Sequence, residues 1–193
     1  MKIRLVILML SIGTITLKAQ TAEHLKFKGV PIDGTLEMYA ENMKLNGFKL
    51  ESSQNGTAIF TGDFAGFKDC KLGVSTLNQK NLVYKIGVLF PNKQTWSGLY
   101  GDYRNLKTML TEKYGKPTEE QEKFDSEYGP DNDNDRFHQV QFDKCKYISI
   151  WETTNGTIQL YIDHISVSSC FVQLGYFDKI NGDIIKAKAI DDL

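Results

Sequence analysis

What the chain has little of narrows its function first. Its 193 residues include only 3 Cys, 3 His, 4 Pro and 2 Trp, and the formal net charge is -1. Cys70, Cys145 and Cys170 contain no CxxC pair, so neither a thioredoxin-type redox site nor a zinc knuckle is spelled out. An odd count leaves at least one thiol unpaired in a monomer. His24, His138 and His164 lack metal-ligand spacing, so no metal or other cofactor is expected. Lys and Arg are scattered rather than clustered, which removes the basic footprint that nucleic-acid binding requires. No GxSxG elbow frames a serine, and none of the other familiar catalytic signatures appears. With 41% hydrophobic and 24% charged residues, the composition is that of an ordinary globular chain and excludes a disordered or collagenous one.

Residues 1–19 are different in character. Lys2 and Arg4 precede an apolar run from Leu5 to Ile15, and Ala19 offers a small residue for cleavage, the pattern of a secretory signal peptide. The apolar run is about half of the roughly 20 residues a membrane span needs, and polar sequence follows at once. A mature chain from Gln20 is therefore expected in the periplasm or outside the cell, with no membrane span. Loss of Lys2, Arg4 and Lys18 lowers the formal charge of -1 by three, to -4. No Cys lies near the cut to carry a lipid, while export makes a disulfide chemically permissible.

Two similar units are expected beyond the signal, over residues 20–95 and 96–193. In the first, Leu36, Tyr39 and Met43 recur at offsets of three and four, with Asp33 placed to cap a helix and Gly47 to end it. The runs FKLESS, TAIFTGDF, CKLGVST and LVYKIGVLF then read as antiparallel strands, the first two joined at Asn55-Gly56. The second unit repeats the order: Tyr103, Leu106 and Leu110 answer Leu36, Tyr39 and Met43, and Gly115 answers Gly47. Strands are expected around Thr118 to Phe124, His138 to Phe142, Lys146 to Thr153, Thr157 to Ile162 and Ser169 to Phe177. Phe67 to Lys71 also echoes Phe142 to Lys146. From Lys179, an Asn181-Gly182 turn and the stripe Ile184, Ile185, Ile190 suggest a strap or short helix, against the alternative of a frayed tail. The fold class is thus α+β, with the helices of tandem helix-plus-sheet units packed on one sheet face.

The runs GTLEMYAENMKLNGFK and GDYRNLKTMLTEKYGKP resemble the Gly-helix-Gly element that opens each unit of the β-lactamase inhibitor protein and of the SmpA/OmlA-type outer-membrane assembly lipoproteins. The segments LKFKGVPIDGTL, GDFAGFKDC, YGKP and AIDDL resemble an uncharacterised family of exported proteins from Gram-negative gut bacteria, across nearly the whole mature chain. These resemblances imply an exported α+β protein of the inhibitor-like fold. They carry no catalytic residues across, and the missing lipidated Cys departs from the assembly lipoproteins.

Asp131, Asp133 and Asp135 begin like a calcium loop, but Arg136 and Phe142 stand where Gly and a bidentate Glu belong. A solvated acidic connector fits better. Glu119-Glu120 and Asp191-Asp192 are sequence neighbours rather than convergent catalytic carboxylates. The carboxy-terminal hairpin is more informative. With Asn155-Gly156 as a two-residue turn, Trp151 faces Leu160, Ser149 faces Ile162 and Tyr147 faces His164. The other face then carries Ile148, Ile150, Glu152, Gln159, Tyr161 and Asp163, joined by Val172 and Leu174 if the next strand keeps register. Antiparallel sheets with one solvated face normally alternate apolar with polar, so a second face this rich in Ile and Tyr needs a cover. The rest of the chain is one candidate and a protein partner the other, bound through Ile150, Glu152, Gln159 and Tyr161. A non-catalytic exported protein-binding module is the expected function. The rivals are an inhibitor of a secreted hydrolase and a hydrolase or carbohydrate-processing enzyme.

Overall fold

Thr35 opens the first helix in the computed structural model, which describes residues 23–77, 80–125 and 129–191. The segment read as an export signal lies outside the described residues, as do Asp192 and Leu193 at the end of the AIDDL run. A short hairpin of β1 (Lys26–Phe27) and β2 (Val30–Pro31) precedes α1 (Leu36–Leu45). Thr35, rather than Asp33, is the N-cap, its hydroxyl accepting from Met38 N at 3.3 Å. Leu36, Tyr39, Ala40 and Met43 are buried, and Gly47 ends the turn at φ 88°. A four-strand meander follows: β3 (Lys49–Gln54), β4 (Thr57–Phe64), β5 (Phe67–Leu77) and β6 (Leu82–Leu89).

The order recurs with α2 (Trp96–Tyr114), capped by Thr95 and stopped at Gly115 (φ 85°). Its buried stripe, Trp96, Leu99, Tyr103, Leu106 and Leu110, keeps offsets of three and four. Then come β7 (Glu119–Phe124), α3 (Asp133–Gln141), β8 (Cys145–Thr153), β9 (Gly156–Ser166), β10 (Ser169–Asp178) and α4 (Lys179–Asp191). The stretch His138 to Phe142, expected as a strand, therefore lies in and just after a helix. Asn132 starts it: its side chain accepts from Asp135 N at 3.0 Å and donates to Asp135 Oδ2 at 2.7 Å. Acidic residues in that first turn suit the positive end of the helix dipole. The Asp131–Asp135 run is thus chiefly a helix start, and Asp133 Oδ1 also accepts from Ser97 N in the first turn of α2, at 2.7 Å.

The two meanders join at their last strands into one eight-stranded antiparallel sheet, ordered β3-β4-β5-β6-β10-β9-β8-β7. Phe60, Leu72, Val88, Leu174, Leu160 and Ser149 form a continuous cross-strand row through six of them. Every residue of that row is essentially inaccessible, because it faces the helices. One buried cluster runs from Leu36 and Tyr39 of α1 through this row to Leu99 and Leu106 of α2. Ser149 is accommodated by a 2.7 Å hydrogen bond with the Tyr103 hydroxyl, and the Trp151 indole donates to Gly115 O at 2.9 Å. Edge strand β7 reads EEQEKF, a charge density that discourages pairing with another chain. The Lys107 ammonium bridges Glu120 and Glu122 on it. No helix among the described residues is long and apolar enough to cross a membrane.

Three expectations about the last strands are corrected here. The β8–β9 turn is Thr154-Asn155 rather than Asn155-Gly156, so Trp151 pairs with Ile158 and Ser149 with Leu160. The Thr153 hydroxyl sets this turn, accepting from Asn155 N and Gly156 N at 3.2 and 3.1 Å. Because the register moved by two positions, each residue keeps its face. Val172 and Leu174, by contrast, lie on the helix side opposite Ile162 and Leu160, since a bulge between Ser169 and Cys170 moves β10 by one residue. At the carboxy terminus, Asn181-Gly182 is no turn but the start of α4, where Asp178 Oδ2 accepts from Asn181 N at 2.9 Å.

Candidate functional site: the helix-free sheet face

Strand residues alternate between faces, so each position beside the buried row points away from the helices. Directly alongside it runs a second row: Ser52, Ile59, Gly73, Gly87, Gly175, Gln159, Ile150 and Glu119. Three neighbouring strands at the centre of the sheet, β5, β6 and β10, thus present glycine side by side. The result is a row without side chains of its own, in which Gly73 is half-buried and Gly87 and Gly175 are buried beside the Gln173 amide and the Phe177 ring. A Cβ built on Gly73 would come no closer than 3.7 Å to any neighbour, and on Gly87 no closer than 3.8 Å. Neither residue has a positive φ. Packing within the chain therefore does not demand glycine at either place. At Gly175 a Cβ would meet the Phe177 ring at 2.9 Å, a contact with the side chain two residues further along the same strand.

The residues singled out from the sequence gather beside this strip. Gln159 sits between Gly175 and Ile150 in the same row, and Tyr161 sits between Ile148 and Gln173 one step along. Ile150, Gln159 and Tyr161 are half-buried, and Glu152 is exposed at the strand end, accepting from the Thr157 hydroxyl at 3.0–3.1 Å. Burial, followed by the nearby Asp163 carboxylate, pushes the Tyr161 phenol up, so it is a neutral hydroxyl at physiological pH. A depression of about 200 Å³ lies beside Ile148, Gln159 and Tyr161. Another, of about 300 Å³, lies at the end of the face between Lys71, Leu89, Ile165 and Phe171, and Ile165 there is 74% exposed.

Charge on the face is mixed. Lys71 is tied to Glu51 and to the Thr61 hydroxyl, and Lys85 lies 5.1 Å from the Phe177 ring centroid. Glu119, Glu152 and Asp163 share the β7–β9 half with Lys123 and Lys146. The other ionisable candidates are dispersed. Glu119 and Glu120, adjacent on β7, point to opposite faces. His138 lies against Phe142 with the rings tilted and their centroids 4.4 Å apart, and His164 lies 3.7 Å from Asp143. The three cysteines are free thiols. Among the described residues, no group of three or more His, Cys, Asp and Glu is placed to hold a metal ion.

The glycine strip escaped notice in the sequence although a signal was present. Lys71-Leu72-Gly73-Val74, Lys85-Ile86-Gly87-Val88 and Gln173-Leu174-Gly175-Tyr176 share one pattern, a long polar residue, an aliphatic, glycine and a strand former. Only the strand order reveals that these three stretches are neighbours. No family model matches the chain, and neither a curated protein nor a solved structure does. The architecture is an α+β domain with helices packed against an antiparallel sheet.

Proposed function

We propose that the chain is an exported, non-catalytic protein-binding module, and that its partner docks on the helix-free face along Gly73, Gly87 and Gly175. The glycine strip carries this reading. Glycine inside a strand is less stable than alanine by roughly 0.5–1 kcal/mol, and at two of the three positions nothing in the chain itself requires it. Interior strand glycine often marks a bulge, a bend or a close approach by a ligand or another backbone, and no register shift falls at Gly73, Gly87 or Gly175. The occupant in this reading is a protein segment laid along the glycine row. Ile150, Tyr161 and Phe177 supply apolar contact, and the Gln159 and Gln173 amides supply hydrogen bonds to its peptide groups. The signal-like residues 1–19 support a periplasmic or extracellular setting. Likeness of the two helix-opening elements to the β-lactamase inhibitor protein adds an analogy of fold, with inhibition of a secreted hydrolase as a special case.

The test is affinity capture from the producing cell's envelope and culture fluid, with the chain from Gln20 and its Tyr161→Ala variant as paired baits. A protein held by the first and lost from the still-folded second is the expected result. Equal retention by both baits would remove Tyr161 from the interface. If captured material includes a hydrolase, excess protein must depress its activity for the inhibitor case to hold.

A further inference from the structure

The chain contains four Asn-Gly pairs: Asn46-Gly47, Asn55-Gly56, Asn155-Gly156 and Asn181-Gly182. Asparagine is a thermolabile residue, and most so when glycine follows, because the glycine nitrogen attacks the asparagine Cγ and no side chain stands in its way. Ring closure needs two freedoms. The asparagine side chain must swing onto the next nitrogen, and the peptide unit between the two residues must rotate to meet it.

Three of the pairs are held. Asn46 ends α1, where its Nδ2 donates to Asn42 O at 2.9 Å and the Gly47 N–H donates to Lys44 O at 3.0 Å. The Asn155-Gly156 peptide is tied at both ends: Asn155 O accepts from Lys179 N at 3.0 Å, and Gly156 N donates to the Thr153 hydroxyl at 3.1 Å. Gly156 is also pressed against β10, where a Cβ would lie 2.1 Å from Phe177 O. Asn181 is 1% exposed inside α4, and its amide shares its hydrogens among Val83 O at 2.8 Å, Asp33 Oδ1 at 3.1 Å and Ile32 O at 3.2 Å.

The fourth pair is open. Asn55-Gly56 is the two-residue turn between β3 and β4, closed by Gln54 opposite Thr57. Both turn residues have positive φ, 51° and 70°, as a type I′ hairpin turn requires. Asn55 is exposed. Among the described residues nothing bonds its side chain, its carbonyl oxygen or the Gly56 N–H, so no contact has to break before the ring closes.

We propose that Asn55 is the chain's site of spontaneous deamidation, with water as the only co-reactant. Gly56 N bonds to Asn55 Cγ, the Cγ–Nδ2 bond breaks, and the Gly56 proton leaves with the amide group as ammonia. Water then opens the five-membered imide at either carbonyl. One opening gives an aspartyl residue, the other an isoaspartyl residue whose main chain is longer by a methylene. Either product places a carboxylate on the turn, and the isoaspartyl form also lengthens the connection that sets the β3–β4 register. Gly56 O accepts from Thr76 N at 2.8 Å and from the Thr76 hydroxyl at 2.9 Å, a tie to β5 that the longer main chain pulls out of place. The chemistry needs no partner and is independent of what docks on the helix-free face.

Peptide mapping by mass spectrometry tests this on the chain from Gln20, held in mildly alkaline buffer either native or unfolded in urea. Replacement of an amide NH2 by OH is read at each Asn-Gly pair. In urea all four should convert at comparable rates. In the native chain Asn55 should convert at least about tenfold faster than each of the others, whose contacts must first open. Native conversion at Asn55 no faster than at Asn46, Asn155 or Asn181 would overturn the assignment. Hydrogen exchange reads the consequence. The isoaspartyl form should exchange faster than wild type at the Thr57 and Thr76 amides, whereas Asn55→Asp, which adds the charge without the longer main chain, should not. Equal exchange in the isoaspartyl form and Asn55→Asp would contradict the loss of the Thr76 tie.

Discussion

Gly87 on β6 and Gly175 on β10 lie directly opposite one another at the seam where the two meanders join. Gly73 continues the line on β5. One position along the same three strands, Leu72, Val88 and Leu174 are fully buried against the helices. The central sheet is therefore densely packed on one side, while the other carries a row of three glycines flanked by Lys85, Gln173 and Phe177.

Gly73→Ala and Gly87→Ala should each stabilise the fold, by about 0.4–1 kcal/mol, because each added methyl has room and reduces the freedom of the unfolded chain. Urea unfolding reads this directly. Gly156→Ala should do the reverse, since its Cβ would lie 2.1 Å from Phe177 O on the adjacent strand. A loss of stability at Gly73 or Gly87 would mean that the fold itself needs the glycine.

Tyr161→Ala and Trp151→Ala, on neighbouring strands but opposite faces, should differ sharply in their effect on stability. Trp151 is 1% exposed and packs opposite Ile158, so its truncation should cost about 3–5 kcal/mol. Tyr161 is half-buried on the open face, and its truncation should leave Tm nearly unchanged while weakening capture. A large Tm loss in Tyr161→Ala would make that residue core.

Ser149→Ala leaves the buried Tyr103 hydroxyl without its partner and should cost about 1–3 kcal/mol. Adding Tyr103→Phe should cost less than the two single changes suggest, because the orphaned hydroxyl is then gone. A double-mutant cycle in urea checks the coupling, and strict additivity would show that the pair is not acting as a unit.

The thiols should be sluggish. Burial, helped by Asp125, pushes Cys145 up to about 12; burial also pushes Cys70 up to about 11 and raises Cys170. The thiolate is the reactive species, so raising the pKa slows alkylation. At about pH 8 iodoacetamide should label the unfolded chain completely before the native one reacts appreciably. The native rate should keep rising roughly tenfold per pH unit beyond the point where an ordinary thiol levels off near 9.

Much of the element order was legible because local signals agreed. LVYKIGVLF is apolar and β-branched, and Gly47 and Gly115 stop helices whose buried residues recur at offsets of three and four. His138 to Phe142 misled because five residues are too few to separate a period of 2 from one of 3.6. The deciding residue, Asn132, caps from outside that window. The echo of Phe67 to Lys71 in Phe142 to Lys146 likewise joins unlike places, since Cys70 lies on the third strand of its meander and Cys145 on the second of the other. The grouping of Ile150, Glu152, Gln159 and Tyr161 survived a wrong turn because a two-residue shift preserves faces, whereas the one-residue bulge at Ser169 misdirected Val172 and Leu174. The glycine row depends on strand order across 100 residues, which no local pattern encodes.

The most direct measurement is the affinity of a captured partner for wild type, Gly87→Val and Asn105→Ala, each first checked for an unchanged Tm. Asn105 is exposed on α2, on the helix side of the sheet, and serves as the control. Docking along the glycine strip predicts at least a tenfold loss for Gly87→Val, about 1.4 kcal/mol, and none for Asn105→Ala. Equal binding by wild type and Gly87→Val, or loss only in Asn105→Ala, would contradict it and move the interface to the helices.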